Sequence, residues 1–209
     1  MHRDTSFSSV KKSSNVVVPL IHFAYADPPY PGCAIKHYSK DPSGIEAKEV
    51  DHRELIGHLM TFDAWALSTH TPALREILSI CPAEARIAAW VKPFCSFKPG
   101  VRVAYAWEPV IFCGARKKQS REALTVRDWV TANITMRRGT HGAKPDAFCF
   151  WLFELMGLTP DDEFHDLFPG SGAVTTVWER WKALRKKEIN NEFRKGWIGG
   201  PNKTPKTFC

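Results

Sequence analysis

Hydrophobic positions along this chain alternate between short continuous runs and runs with helical spacing. Val16–Ala26 is rich in β-branched and aromatic residues and stops at two prolines, which predicts a buried strand that ends before Asp27. Similar runs predict strands at Ala64–Ser68, Arg86–Val91, Val103–Phe112 and Glu163–Phe168. Helical spacing predicts helices around Leu55–Met60, after Thr71-Pro72, over Asp146–Met156 and over Val174–Leu184. Because strands alternate with helices, the pattern indicates an α/β fold with a largely parallel sheet.

Composition excludes several classes of protein. Hydrophobic residues make up 44% of the 209 residues and charged residues 24%, as in ordinary globular proteins, so a disordered, collagen-like or coiled-coil chain is excluded. No apolar stretch is long enough for a membrane span, and Met1–Val10 lacks the apolar core of a secretory signal. The six cysteines form no CxxC pair and no histidine stands at metal-ligand spacing, so we expect a cytoplasmic protein without a metal site.

Charge divides the chain into three parts. Residues 1–14 are polar and basic and are predicted to be a flexible leader, 15–184 carry the predicted elements as one domain, and 185–209 form a basic tail. The excess of 29 Lys and Arg over 22 Asp and Glu suits a polyanionic partner such as nucleic acid. It is concentrated in 115–143, a basic loop that is either a target-recognition segment or a solvated surface loop. The nucleic-acid contacts predicted there are Lys117, Lys118, Arg121, Arg137 and Arg138.

The first motif with chemical meaning is Asp27-Pro28-Pro29-Tyr30, at the predicted carboxyl end of a strand. Ligands of open α/β sheets bind at that edge. A carboxylate and a carbonyl held by prolines can accept both N–H bonds of an exocyclic ring amine, which localises its lone pair for methyl transfer, and an aromatic ring can stack on the heterocycle. The alternative is a Pro-Pro turn that ends a strand, with Tyr30 packed against the core.

The second motif is Asp166-Leu167-Phe168-Pro169-Gly170-Ser171-Gly172, between a predicted strand and a predicted amphipathic helix. Small residues allow close approach of a ligand to the backbone, and the start of a helix presents free N–H groups. A dinucleotide site is not indicated, because the GxGxxG pattern is absent. An ordinary tight turn between strand and helix remains the alternative.

Together the two motifs resemble the S-adenosylmethionine-dependent amino-methyltransferases of the permuted, beta-class-like type, in which the catalytic motif precedes the cofactor motif. The resemblance extends from Val16 to Lys182. It includes Trp90-Val91-Lys92-Pro93, Trp107-Glu108-Pro109-Val110-Ile111 and the Lys144-Pro145 helix start, which is also similar to the mRNA adenosine methyltransferases. The resemblance implies a Rossmann-like class I methyltransferase sheet with helices on both faces. The order of its elements would be circularly permuted, and the sheet could lack one or more of the family's edge strands.

The resemblance also implies roles for individual residues. Asp27, Pro28, Pro29 and Tyr30 would be the catalytic motif, with Asp27 and the Pro28 carbonyl binding the amine and Tyr30 stacking on the base. The residues that would line S-adenosylmethionine are Asp166, Phe168, Gly170, Ser171, Gly172, Lys144 and Pro145. The family usually has a further strand whose acidic residue holds the cofactor ribose, and no such residue is identified here.

The activity implied by the resemblance is methylation of the exocyclic amine of adenine in DNA, in a bacterial or phage-infected cytoplasm. An aspartate at the first motif position favours adenine in this family. The alternatives are an RNA adenosine methyltransferase, a cytosine exocyclic-amino DNA methyltransferase and a catalytically inactive nucleic-acid-binding relative. Because there is little room for a target-recognition domain, we expect either a short or relaxed sequence preference or help in target recognition from a homodimer or a partner protein.

Overall fold

The computed structural model describes residues 18–31, 49–94, 100–118, 120–121, 123–135 and 143–198, with side chains in the last range as far as residue 191. Within these ranges, six strands form one sheet in the order β5-β3-β4-β2-β1-β6. The strands are β1 (His22–Ala26), β2 (Ala64–Ser68), β3 (Arg86–Val91), β4 (Trp107–Cys113), β5 (Trp129–Thr131) and β6 (Glu163–Asp166).

Strand β4 runs against the other five. It is antiparallel to both β2 and β3, whereas β1 is parallel to β2 and β6, and β3 is parallel to β5. The carboxyl ends of β1, β2, β3 and β6 therefore meet at one edge, which we call the carboxyl edge. The end of β4 lies at the opposite edge of the sheet.

Helices cover both faces of the sheet. On one face lie α1 (His52–Leu59) and α2 (Leu74–Leu78), the latter preceded by a 3₁₀ turn over Thr71–Ala73, and on the other lie α3 (Asp146–Met156) and α4 (Ala173–Ile198). Six of the eleven residues of α3 are buried, as its apolar sequence predicts, and the helix ends at Gly157, whose φ is 68°. In the part of the chain that the structure describes, no helix combines the length and apolar character that crossing a membrane requires.

Several predicted boundaries are wrong. β1 begins at His22 instead of Val16, and β4 begins at Trp107 instead of Val103. The ladder between β3 and β4 ends at Val91 and Trp107, one more backbone hydrogen bond joins Lys92 to Ala106, and Val103 lies beyond both and is 77% exposed. The predicted basic loop contains β5, which pairs with β3. The predicted basic tail begins as a continuation of α4.

The predicted helix start at Thr71-Pro72 has the correct position, but the predicted type of helix and the predicted side-chain cap are wrong. The turn is 3₁₀ and begins after His70, with no side-chain cap. By contrast, α1 is capped by Asp51, whose carboxylate accepts hydrogen bonds from the backbone N–H groups of Arg53 and Glu54. This cap satisfies two of the donors that every helix start leaves free.

Candidate active site

The two predicted motifs leave adjacent strands at the carboxyl edge. β1 and β6 are parallel neighbours in which Tyr25 pairs with Asp166, and the Leu167 amide donates a hydrogen bond of 2.9 Å to the Tyr25 carbonyl. Asp27 follows the last residue of β1, and the glycine-containing loop follows Asp166. The two loops, although far apart in sequence, therefore begin side by side.

The tetrapeptide Asp27–Tyr30 is only partly accessible. Pro28 is buried, and the Asp27 side chain is 22% exposed. The Tyr30 ring stacks on His70, with ring centroids 5.0 Å apart and planes 4° from parallel. The Tyr30 hydroxyl donates a hydrogen bond to Glu108. Because one face of the Tyr30 ring rests on His70, any further planar group must stack on the other face.

Asp27 of the tetrapeptide belongs to a network of two carboxylates and two lysines, whose other members are Glu108, Lys92 and Lys144. The Nζ atom of Lys144 lies 2.9 Å from Asp27 Oδ1 and 2.8 Å from Glu108 Oε1. The second oxygen of Glu108 contacts the ammonium of Lys92. The Lys144 side chain is 4% exposed, and its ammonium lies 5.4 Å from the centroid of the Trp90 ring. Each buried charge is thus paired, as burial requires.

The pairing determines the charge states in this network. Burial raises the pKa of Glu108, but the ammonium groups of Lys144 and Lys92 outweigh it and hold that pKa at about 2. Burial lowers the pKa of Lys144, but Asp27 and Glu108 outweigh it, and the pKa lies well above its usual value. For Asp27 burial prevails over the attraction of Lys144, and the carboxyl pKa is raised. Of the two carboxyl groups in the network, Asp27 is therefore the one that is protonated more readily.

The glycine-containing loop has the features of a ligand cradle. Gly170 and Gly172 have φ values of 48° and 73°, in the left-handed region that favours glycine. A Cβ atom on Gly172 would have no described heavy atom within 4 Å, so the space in front of it is open. Asp166 Oδ2 accepts a hydrogen bond of 3.1 Å from Thr175, while the buried Oδ1 has no partner among the described residues. The loop then enters α4, whose first turn presents free N–H groups.

Lys144 lies at the tetrapeptide. Although the resemblance assigns Lys144 and Pro145 to the cofactor, the Lys144 ammonium is paired with Asp27 and Glu108. Pro145 is the N-cap residue of α3 and has an extended backbone conformation, so Lys144 lies directly before the start of that helix. A contact between either residue and a cofactor stays a prediction.

Lys117 and Lys118, two of the predicted nucleic-acid contacts, lie away from this site. Lys117 and Lys118 are exposed and follow the end of β4, which lies at the edge opposite Asp27 because β4 is antiparallel. Arg116, just before them, is tied to Asp162 ahead of β6 by a contact of 2.7 Å. Arg121 comes later in the same segment, and the Lys118 ammonium lies 3.4 Å from its carbonyl oxygen. Arg137 and Arg138 lie outside the described residues.

Sequence reasoning gave no role to two residues that organise the site, Glu108 and Lys92. Both stood in segments quoted only for their resemblance to family strands. The signal that could have found them is a charged residue inside or beside an apolar strand, since such a charge is buried only when it is paired. Glu108 is 5% exposed and bonds to Lys92, Lys144 and Tyr30.

Comparison with known proteins gives a match in structure only. No protein-family model matches the chain, and no curated protein matches it in sequence. The chain is similar to the crystal structure of the M1.HpyAVI–SAM complex, with a TM-score of 0.54 and 12% identity over 78% of this chain and 79% of that chain. The crystal structure of M1.HpyAVI gives a TM-score of 0.44 and 13% identity over 78% and 77% of the two chains. The expected α/β fold, a sheet with helices on both faces, is confirmed by the strand order and by the fold that this chain shares with the M1.HpyAVI–SAM complex.

Proposed function

We propose that this protein is an S-adenosylmethionine-dependent methyltransferase that acts on the exocyclic amino group of adenine in DNA, with the catalytic motif ahead of the cofactor motif in a permuted order. The observation that carries the proposal is the adjacency of β1 and β6, which starts Asp27–Tyr30 and Asp166–Gly172 from neighbouring strands at one edge. A methyl donor and an acceptor amine must meet, and these two loops are placed for that.

The glycine-containing loop suits S-adenosylmethionine. The open space at Gly172 accommodates a bulky group against the backbone, the unpartnered Asp166 Oδ1 can accept from an ammonium or hydroxyl, and the start of α4 suits a carboxylate. The similar M1.HpyAVI chain is a SAM complex, which supports the same ligand here. When bound, S-adenosylmethionine supplies an electrophilic methyl group on a sulfonium centre.

The tetrapeptide suits the amine that receives the methyl group. Asp27 and the Pro28 carbonyl accept its two N–H bonds, which turns the nitrogen lone pair toward the glycine-containing loop. The base stacks on the Tyr30 face that is turned away from His70. Lys144 fixes the Asp27 carboxylate, and Glu108 fixes the Tyr30 hydroxyl. Catalysis is then mainly placement together with fixed charges around the reacting nitrogen.

Exposed side chains beside the site suit the bases that flank the target. Tyr105 and Trp107 are 44% and 40% exposed and, with Thr71, Val103 and Ala104, line a cavity of about 290 Å³. Thr71 follows His70, and Trp107 precedes Glu108, so the cavity adjoins the Tyr30–His70 stack. Aromatic surfaces of this kind hold unstacked bases.

We therefore expect Trp107→Ala to weaken DNA binding about tenfold, because the contribution of one stacked base is about 1–3 kcal/mol. Fluorescence anisotropy with a labelled single strand measures the change. Met60→Ala is the matched control, since Met60 is 57% exposed but lies at the end of α1 beside Gly114, at the opposite edge. Equal affinities for all three proteins would remove this surface from the DNA-binding face.

Gly172→Ala tests the cofactor loop. At about 100 times its dissociation constant, S-adenosylmethionine should stabilise the wild type by about 2.7 kcal/mol in a thermal-shift measurement. We expect this gain to vanish in Gly172→Ala, because the methyl group enters the space that the ligand requires. Gly100→Ala is the control: its φ of 78° imposes the same backbone strain, and no heavy atom of the described residues lies within 4 Å of its Cβ position. A gain that survives in Gly172→Ala would contradict the assignment, and so would a gain that is lost in both variants, since backbone strain alone would then explain the loss.

The activity itself is tested by transfer of tritiated methyl groups to unmethylated DNA and to RNA of matched sequence, followed by nucleoside analysis. Label in N6-methyladenine of DNA is the expected result. Label confined to RNA would show that the substrate is RNA adenosine, and label confined to N4-methylcytosine would show that it is cytosine in DNA. A chain that transfers nothing and shows no thermal shift with S-adenosylmethionine would be the non-catalytic nucleic-acid-binding relative.

A further inference from the structure

A second group of chemically active side chains lies at the other end of β1 and β6. It consists of His22, Glu163 and His165, and one ligand atom from each residue lies within 4.8 Å of the other two. His22 is the first residue of β1 and Glu163 the first of β6, so the group lies toward the edge opposite Asp27. The two end residues of the five-residue strand β1 are four residue steps apart, about 13 Å.

The sheet itself brings the three residues together. His22 pairs directly with Glu163 across the parallel ladder, and His165 is two positions beyond Glu163, on the same face of β6. The His22 and His165 rings stack with centroids 6.5 Å apart and planes 17° from parallel. Phe62 packs against His165 at 5.0 Å and restricts its ring. The arrangement thus rests on backbone hydrogen bonds and on packing.

The atoms of this group that could bind a metal are not hydrogen-bonded to one another. His165 Nε2 lies 3.1 Å from Glu163 Oε1, but the contact lacks hydrogen-bond geometry, and this buried nitrogen has no hydrogen-bond partner among the described residues. His22 Nδ1 lies 3.6 Å from Glu163 Oε2, beyond hydrogen-bond length. Two imidazole nitrogens and a carboxylate that converge without bonding to one another are placed as ligands around a cation.

We propose that His22, Glu163 and His165 bind a divalent transition-metal ion, with Zn²⁺ as the ion of choice. Imidazole nitrogen and carboxylate oxygen are established ligands of Zn²⁺, and a site with three protein ligands leaves a position for water. The side chains of His22 and Glu163 are 51% and 53% exposed, so an ion can enter from solvent. The ion ties β6 to β1 at the end of the pair opposite the active-site loops.

Metal binding is measured by titrating the protein with Co²⁺ and by its thermal shift with Zn²⁺. We expect one Co²⁺ per chain with d–d absorption bands of nitrogen and oxygen ligation, and a melting temperature raised by Zn²⁺. Glu163→Gln and His165→Ala should each weaken metal binding at least about tenfold. Loss of a residue that only hydrogen-bonds to a metal ligand already has an effect of about this size, and loss of the ligand itself should cost no less. His58→Gln is the matched control, because His58 contacts Phe62 from α1 but is not part of the group.

Glu163→Gln keeps the assay interpretable should His165→Ala unfold the chain, since Glu163 is half exposed and glutamine has the same shape. Imidazole nitrogen resonances of His22 and His165 that shift with Zn²⁺ would support the site directly. Two results would overturn it: Glu163→Gln that titrates like the wild type, or Co²⁺ bands of thiolate ligation, which would place the ion on cysteines. The measurements need neither DNA nor S-adenosylmethionine and are therefore independent of the proposed activity.

Discussion

Asp27→Asn should lower methyl transfer to DNA by about a hundredfold to a thousandfold. Asparagine keeps the shape of the side chain but removes its charge and directs an NH₂ group toward the amine or toward Lys144. The acceptor that orients the amine is then lost or turned away, and losses of this size follow when one oriented polar group is removed or a reactant is displaced by about 1 Å. Single-turnover incorporation of tritiated methyl groups into DNA measures the effect.

The fold and the cofactor site should survive this substitution. Burial raises the pKa of Asp27, so a neutral side chain is tolerated there, and Lys144 keeps Glu108 as its partner at 2.8 Å. The dissociation constant of S-adenosylmethionine should therefore change less than about twofold, well under 1.4 kcal/mol. Asp161→Asn, in a carboxylate that is 81% exposed, is the control and should leave transfer unchanged. A loss of less than tenfold in Asp27→Asn would take Asp27 out of the mechanism.

Helices and strands were predictable from the sequence where residues that end such elements, such as proline or glycine, stand at both ends of an apolar run. The bounds of β2, β3 and α3 match the predicted ones, and α3 lies between Pro145 and Gly157, which mark its two ends. Apolar residues alone did not predict the start of β4 correctly. Val103 is exposed because no neighbouring strand extends that far. β5 was missed because it has three residues and forms only through its pairing with β3.

The candidate site was predictable as two motifs but not as one network. Local sequence marks Asp27–Tyr30 and Asp166–Gly172, because proline, glycine and strand ends are local signals. The pairing of Lys144 with Asp27 and with Glu108 joins residues 117 and 36 positions apart. Such contacts depend on strand order and on the reversed direction of β4, neither of which local sequence encodes. The same reversal moves Lys117 and Lys118 to the far edge.

Lys144→Met should destabilise the folded chain by about 3–5 kcal/mol at pH 7, because it leaves buried carboxylates without their shared cation. Methionine fills much the same space, so the loss is electrostatic rather than a cavity effect. Urea unfolding at several pH values measures the free energy of unfolding. Lys186→Met, whose ammonium lies 3.5 Å from Asp161 in an exposed pair, is the control and should change stability by less than about 1 kcal/mol.

The pH dependence separates this explanation from simple loss of packing. In the wild type the pKa of Glu108 is lowered to about 2, so its contribution to stability is present above the usual pKa of 4.5 and is lost as the pH falls toward 2. In Lys144→Met, Asp27 has lost its cation and its pKa, already raised by burial, rises further, so the folded state binds a proton more readily than the unfolded state. As the pH falls below 7, the variant should therefore recover more stability than the wild type, in which Lys144 limits the rise of the Asp27 pKa. A loss that is the same at pH 5 and pH 7 would mean that Lys144 contributes packing and not charge.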